Sequence, residues 1–186
     1  ANDELKEKLR PYSNQGKNLT FRNTDANSIT KRMGEYLIAN EKIKGLVLLD
    51  PFGMNIDWET IAALKGASVD LWILVRLLER DGSLKHIEKL KQYFGLTKSE
   101  IESRFYTKKT DKTLFGEIEK VEKVKEPIKR IAELYVERLK TLFPYVTENP
   151  LVMTNTKGVP IFHFVFASNN KNAMKIAQQI ISKKSK

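Results

Sequence analysis

The chain has no cysteine, only two histidines, nine glycines and six prolines among its 186 residues. Without cysteine it forms no disulfides and has no thiolate chemistry, which fits a reducing compartment. Two histidines without an HExxH pattern do not supply the ligands of a zinc site. The apolar runs are short, and none approaches the length of a membrane span. We therefore expect a cytoplasmic protein that does not cross a membrane.

What the chain has in excess is positive charge. There are 33 Lys and Arg residues against 23 Asp and Glu residues, which gives a net charge of +10. Such an excess favours polyanionic partners, nucleic acid among them, through phosphate contacts and counterion release. Most of the lysines alternate with acidic residues, a pattern that is also typical of an ordinary solvated surface. The charge therefore leaves both interpretations open.

Alternating helix and strand patterns predict an α/β fold. Strands are predicted at 18–25, 44–50 and 69–75, and amphipathic helices precede or separate them. The last two strands are apolar on both faces, as expected of strands in the middle of a parallel sheet. Short connections in this order predict a mostly parallel sheet with right-handed crossovers. We expect one domain over residues 1–186.

The middle and the end of the chain have different patterns. Residues 77–143 show no strand signal and are predicted to form a helical insertion, in which Thr97 and Glu100 make a capping box. Residues 145–169 are predicted to form an antiparallel hairpin with Gly158 in its turn, followed by a last helix.

The sharpest chemical signal is "DPFG", which follows a buried-looking strand. Pro51 restricts Asp50 to an extended backbone, and Gly53 permits a sharp turn or a close approach. In a parallel sheet, ligands lie beyond the carboxyl ends of the strands. A carboxylate there accepts hydrogen bonds from an amino group, and the Phe52 ring can stack on a base. The sequence predicts a site at Asp50, Pro51 and Phe52, lined by Gly53 and Trp58; the alternative is an Asp that caps the next helix.

The same four residues resemble the Asp/Asn-Pro-Pro-aromatic motif of amino-methyltransferases, with the ring in the third place and Gly in the fourth. In that resemblance Asp50 holds the amino group that is methylated. Asp25 ends another predicted strand and begins a helix with Ala26. In Rossmann-like methyltransferases an acid at this place contacts the adenine amino group of S-adenosylmethionine. The resemblance thus implies a cofactor site at Asp25 and Ala26, while an N-cap is the alternative for Asp25.

A longer resemblance joins these segments. The blocks "LVLLDPFGMNIDWETIAAL", "VDLWILV", "RLLERDG", "KTLFG" and "VPIFHFVFASNNKNAMKIA" resemble the three-Cys-motif partner protein family in order and spacing. The resemblance implies a Rossmann-like protein, related to methyltransferases, beside a radical-SAM-like three-cysteine protein. The family's "DxFAGxG" turn has no counterpart here, and a loop expected between Val75 and Arg76 is absent from the sequence. We expect further segments before Ala1 and between Val75 and Arg76 in the complete protein.

Three functions remain open. The first is an S-adenosylmethionine-dependent methyltransferase that acts on nucleic acid. The second is a non-catalytic partner that uses the insertion to bind the three-cysteine protein or nucleic acid. The third is a magnesium-dependent nuclease with ligands at Asp50, Asp57 and Glu59. A helix cap at Asp57 and a first-turn acid at Glu59 also explain these two residues without any metal.

The remaining candidate residues favour structural roles. His86 is expected to be solvated and His163 to be a hydrogen-bonded core residue. Trp72 is expected to be a packing residue, and packing is also the alternative to the lining role of Trp58. Ser168 and Asn169 are expected to cap the last helix.

Overall fold

The computed structural model describes residues 2–13, 18–51, 53–76, 87–113, 116–123 and 127–184. Its helices and strands follow one another in this order: α1 (Asn2–Ser13), α2 (Ala26–Ala39), β1 (Gly45–Leu49), α3 (Trp58–Ala62), β2 (Val69–Arg76), α4 (Ile87–Phe94), α5 (Lys98–Phe105), β3 (Tyr106–Thr113), β4 (Gly116–Lys123), α6 (Pro127–Leu139), β5 (Tyr145–Val146), β6 (Leu151–Thr154), β7 (Pro160–Ser168) and α7 (Lys171–Lys184). The α/β class predicted from the sequence is confirmed.

The main sheet is mixed, which corrects the prediction of a mostly parallel one. Its five strands run in the order β1-β2-β7-β5, and β6 also pairs with β7. Only β1 and β2 are parallel, joined by a crossover that contains α3, whereas β7 is antiparallel to β2, β5 and β6. The difference arises because the strand predicted at 18–25 does not form, so that three of the five strands come from the carboxyl-terminal segment, where every pair is antiparallel. A Rossmann-like arrangement is therefore not established by this sheet.

The prediction of a strand at residues 18–25 is wrong. Residues 18–25 contain no strand, and most of their side chains are exposed. Leu19 and Phe21 are the segment's only large apolar residues, which is too little to hold a strand in place. Asp25 therefore begins a helix without ending a strand. At Val75 and Arg76, where the family resemblance implies a further loop, β2 continues and both residues pair with β7 in a regular register.

The predicted helical insertion is also corrected. Within 77–143 the chain forms α4, α5 and α6, but between α5 and α6 it forms the hairpin of β3 and β4. These two strands make a separate sheet in which every residue from Tyr106 to Thr113 has an antiparallel partner. The hairpin has few apolar residues, and apolar periodicity is the main strand signal in a sequence. Local backbone pairing explains why the strands form where the pattern predicted none.

One cluster of buried side chains fills the space on one face of the main sheet. It contains residues from α2, β1, α3, β2, α4, α5, α6, β5 and β7, including the fully buried Leu71, Ile73 and Val165. The helices of the middle region are therefore part of this core. On the opposite face α7 covers Phe166 with Met174 and Ala177. Among the described helices none is long and apolar enough to pass through a lipid bilayer.

Several local signals of the sequence are confirmed. The antiparallel hairpin of β6 and β7 forms, and Gly158 adopts φ 73° in its turn. The capping box before α5 also forms: the Thr97 amide donates to the Glu100 carboxylate at 2.8 Å, and the Thr97 hydroxyl accepts from the Glu100 amide at 3.3 Å. Helix α1 forms as well and continues past Pro11 to Ser13.

Candidate functional site

The carboxyl end of β1 carries the predicted site. Asp50 is exposed directly after the strand, and Pro51 is buried behind it. Gly53 has φ +68°, and a side chain added there would meet nothing within 4 Å. The loop thus turns in a left-handed conformation beside open space, which confirms the sharp turn predicted at Gly53; the approach of a ligand there stays a prediction. Phe52 lies outside the described residues, so its predicted stacking role stays a prediction.

Asp25 lies at the start of α2, where its side chain caps the helix. Its Oδ2 atom accepts hydrogen bonds from the Ser28 amide at 2.8 Å and from the Ser28 hydroxyl at 3.0 Å. These bonds, the backbone one first, lower the pKa of Asp25 below its ordinary value. The carboxylate is therefore ionised at neutral pH. Ala26 follows as the first residue of the helix and is exposed.

The side chain of Asn27 joins the start of α2 to the loop that follows β1. Its Nδ2 atom donates to the Asn55 carbonyl at 2.9 Å. Its Oδ1 atom accepts from the Asp57 amide at 3.0 Å and from the Thr60 hydroxyl at 2.7 Å. Three hydrogen bonds from one carboxamide thus hold the helix start, with Asp25, against the loop that Asp50 begins.

Sequence reasoning missed Asn27. Its partners are 28 to 33 residues away along the chain, and no local pattern marks an Asn near a helix start as the holder of a distant loop. The available signal was the run "NIDWET", which leads into the first turn of α3, where backbone amides need acceptors.

Asp57 occupies the N-cap position of α3, but its carboxylate makes no capping hydrogen bond. The position of the predicted cap is thus correct, but the capping contact is absent: the Thr60 amide donates to the backbone carbonyl of Asp57 at 3.0 Å and not to its carboxylate. Glu59, in the first turn, forms an exposed ion pair with Lys31 at 3.4 Å.

Trp58 lies in the core and not on the rim of the loop. It is 6% exposed, and its ring meets Tyr135 edge-on with centroids 6.0 Å apart. The guanidinium of Arg138 lies 4.5 Å from the Trp58 centroid. Gly95 approaches the same ring so closely that a Cβ there would lie 2.1 Å from it. These contacts account for Trp58 as a packing residue; its predicted role in lining the substrate gains no support from them.

The acidic residues near the loop do not form a metal site of the predicted kind. Among the described residues, no group of three or more His, Asp or Glu side chains is arranged to hold a metal ion. Asp50, Asp57 and Glu59 therefore do not converge, because the loop and the first turn of α3 separate them.

His163 lies, like Asp50, at the end of the sheet where β1 and β2 terminate. It pairs with Val75 near the carboxyl end of β2, two strands from β1, which corresponds to about 10 Å across the sheet. Burial lowers the pKa of His163 below its ordinary value, so the ring is neutral at pH 7. Its Nδ1 atom is buried and has no hydrogen-bond partner, which corrects the prediction of a hydrogen-bonded core histidine. His86 lies outside the described residues.

An open cleft of ≈ 670 Å³ adjoins His163 between α6 and the hairpin of β6 and β7. Its apolar lining includes Ala132, Val136, Val152 and Pro160. The cleft is large enough for a small organic ligand, and it lies on the side of the sheet that faces the core helices.

The remaining candidates have structural roles. Trp72 stacks on Phe164 with centroids 4.6 Å apart, as a packing residue does. The Ser168 hydroxyl donates to Asp70 at 2.5 Å and accepts from the Asn170 amide at 2.8 Å. Asn170, and not Ser168 or Asn169, caps α7: its Oδ1 atom accepts from the Asn172 amide at 2.9 Å.

Comparisons with protein-family models, with curated proteins and with solved structures found no match for this chain. The resemblance to the three-Cys-motif partner family is therefore carried by the sequence blocks alone.

Proposed function

We propose that the chain binds S-adenosylmethionine at the carboxyl edge of β1 and β2 and belongs to a methyltransferase-type protein that acts on nucleic acid. The observation that carries the proposal is the Asn27 bridge. It holds the start of α2, which Asp25 caps, against the loop after β1, which Asp50 begins, and this supports a shared site for the two predicted ligand-binding carboxylates. The basic net charge of +10 supports a nucleic-acid substrate.

The residues at this edge fit part of the cofactor. A carboxylate offers about four lone-pair sites, and Ser28 occupies two at Asp25. Asp25 is exposed and ionised, so it can accept a hydrogen bond from an adenine amino group. The exposed Asp50 can accept one from the amino group of the substrate, which orients that group for in-line transfer. The cofactor supplies the methyl group; the chain's nine glycines include no Gly-x-Gly-x-x-Gly cradle for the rest of it.

Calorimetry with S-adenosylmethionine tests the proposal on the full chain. Asn is as good an N-cap as Asp, so Asp25→Asn keeps α2 intact while it weakens the acceptor. We expect Asp25→Asn to lower the affinity roughly tenfold or more, because hydrogen bonds to charged groups contribute about 1.5–3 kcal/mol. Asp50→Asn should change cofactor affinity little, since its partner is the substrate.

The matched control is Asp3→Asn, which removes an exposed carboxylate on α1. The absence of both binding heat and a thermal shift on adding S-adenosylmethionine to the unaltered chain would rule the proposal out. Equal losses of affinity for S-adenosylmethionine in Asp25→Asn and Asp3→Asn would also rule it out.

A second candidate function is that of a non-catalytic binding partner. The hairpin of β3 and β4 favours it, because these strands pair with each other and with no described strand of the main sheet. A hairpin outside the sheet offers backbone edges to a partner protein, such as the radical-SAM-like protein that the sequence resemblance implies. Replacing residues 106–123 by a short glycine-serine loop should abolish co-purification with that protein, while binding retained in full would exclude this role for the hairpin.

A further inference from the structure

Strand β1 has a neighbour on one side only among the described strands. It pairs with β2, and no strand in the described part of the chain pairs with its other edge, called the free edge below. Proteins protect such edges with charged residues, prolines, bulges or a covering element, because a free edge pairs readily with another chain. Between Gly45 and Leu49 there is no charged residue and no proline, and the register with β2 is regular. The edge of β1 is therefore unprotected within the strand.

The direction of the backbone groups follows from the register. The Gly45 amide donates to the Ser68 carbonyl at 2.9 Å, so Gly45 points its backbone groups toward β2. Successive residues of a strand point to opposite sides, and Val47 and Leu49 therefore also face β2. The amides and carbonyls of Leu46 and Leu48 point outward to the free edge.

The same two residues also expose their side chains. Leu46 is 73% exposed and Leu48 is 64% exposed, whereas Val47 and Leu49 on the opposite face are 6% and 7% exposed. The sheet register places Leu46 and Leu48 on the face that α7 covers farther along, beside Asp70 and Trp72. Backbone groups without a strand partner and exposed leucines thus coincide at one edge, which marks a surface that another strand covers.

We propose that β1 pairs with β1 of a second copy of the chain, antiparallel and centred on Val47. In this register Leu46 lies opposite Leu48 of the other copy, so that four leucines meet on one face. One residue beyond each end, Lys44 lies opposite Asp50, and this pair occurs twice across the two-fold axis. Both side chains are exposed. The edge is thus complementary to itself in hydrogen bonding, in apolar contact and in charge.

This inference goes beyond the proposed function. It brings Lys44 of the second copy beside Asp50, at the rim of the candidate site. A carboxylate has capacity for that contact and for a substrate amino group together. Pairing with a strand of a different protein, or with another part of a longer polypeptide, lacks this self-complementarity and would leave the chain by itself monomeric.

Sedimentation of the full chain over a range of concentrations tests the pairing, and charge exchange tests its register. We expect a dimer whose dissociation constant rises roughly tenfold in Lys44→Asp and in Asp50→Lys, because each change places like charges opposite each other twice. The double variant Lys44→Asp/Asp50→Lys should restore the dimer. The control Lys65→Asp changes charge at an exposed residue that is not part of β1 or of the proposed register and should leave the constant unchanged.

A second measurement uses the absence of cysteine from the chain. Leu46→Cys/Leu48→Cys should form a disulfide-linked dimer on oxidation, since Cα atoms of opposed residues lie about 5.5 Å apart, within reach of a disulfide. Either substitution alone should not cross-link, because like residues are then offset. A monomer at every concentration would overturn the proposal. A dimer whose dissociation constant is the same in both charge-reversal variants as in the unaltered chain would also overturn it. None of these readouts involves S-adenosylmethionine, so they remain separate from the test of the proposed function.

Discussion

Strands β1 and β2 are neighbours with similar sequences and different surroundings. Both are rich in aliphatic residues, and both predict a strand that is buried on two faces. In β2 the inward residues Leu71 and Ile73 are fully buried, and Trp72 on the other face packs against Phe164 and Phe166. In β1 the outward leucines remain exposed, at 64% and 73%. An apolar strand sequence therefore predicts that both faces of the strand are covered. The elements packed around the strand determine whether the described residues cover them.

The largest contrast is expected from shortening one side chain in each strand. Ile73→Ala leaves a cavity in the core and should lower the free energy of unfolding by about 2–5 kcal/mol. Leu46→Ala should change it by less than about 0.5 kcal/mol at protein concentrations where copies are dissociated. Urea unfolding of both variants measures the difference. A cost at Leu46 equal to that at Ile73 would show that the outer face of β1 is covered within the chain.

The loops that contain Gly53 and Gly95 also differ in how much space surrounds them. Gly95 and Gly53 both have positive φ, but a Cβ at Gly95 would strike Trp58 in the core, whereas one at Gly53 meets nothing within 4 Å. Gly95→Ala should therefore cost about 2–4 kcal/mol, from backbone strain and overpacking together. Gly53→Ala should cost about 1–2 kcal/mol from strain alone. Thermal unfolding distinguishes them, and equal costs would contradict the open surroundings of Gly53.

Hydrogen bonds from Asn27 hold the loop at the carboxyl end of β1, although the outer face of the strand is exposed. Asn27→Ala removes the acceptor of the buried Thr60 hydroxyl and of the Asp57 amide, which should cost about 1–3 kcal/mol. Asn27→Asp keeps an acceptor and loses the donor to Asn55, so its cost should be smaller. Hydrogen exchange at the Asp57 amide should quicken in the Ala variant. Unchanged exchange would show that other contacts hold the loop.

The smallest expected effect concerns β7, the strand on the other side of β2. Burial lowers the pKa of His163 in the folded chain below the ordinary 6.5. As the pH falls through about 6.5, the unfolded chain takes up the proton first, so stability is lost between that value and the lower folded pKa. His163→Phe should reduce the loss of stability between pH 7.5 and pH 5.5. Urea midpoints at the two values measure it, and an unchanged loss would contradict the neutral buried ring.

Local features of the fold were predictable, as were some residues of the candidate site. The capping box at Thr97 and Glu100, the turn at Gly158 and the strands β1, β2 and β7 follow from residues close together in the sequence. The exposed Asp50 after β1 and the left-handed Gly53 behind it follow in the same way. The Asn27 bridge was not predictable, because its hydrogen bonds join residues that only the packing of α2 against α3 brings together.

By itself the sequence determined an α/β chain with short strands, capped helices and a carboxylate at the end of an apolar strand. Caps, turns and apolar periodicity act over a few residues, so they can be predicted from neighbours in the chain. The tertiary structure decided that β7 lies antiparallel beside β2 and that only β2, among the described strands, pairs with β1. These outcomes depend on which distant segments pair, and the energy of such pairing comes from contacts that no local pattern contains.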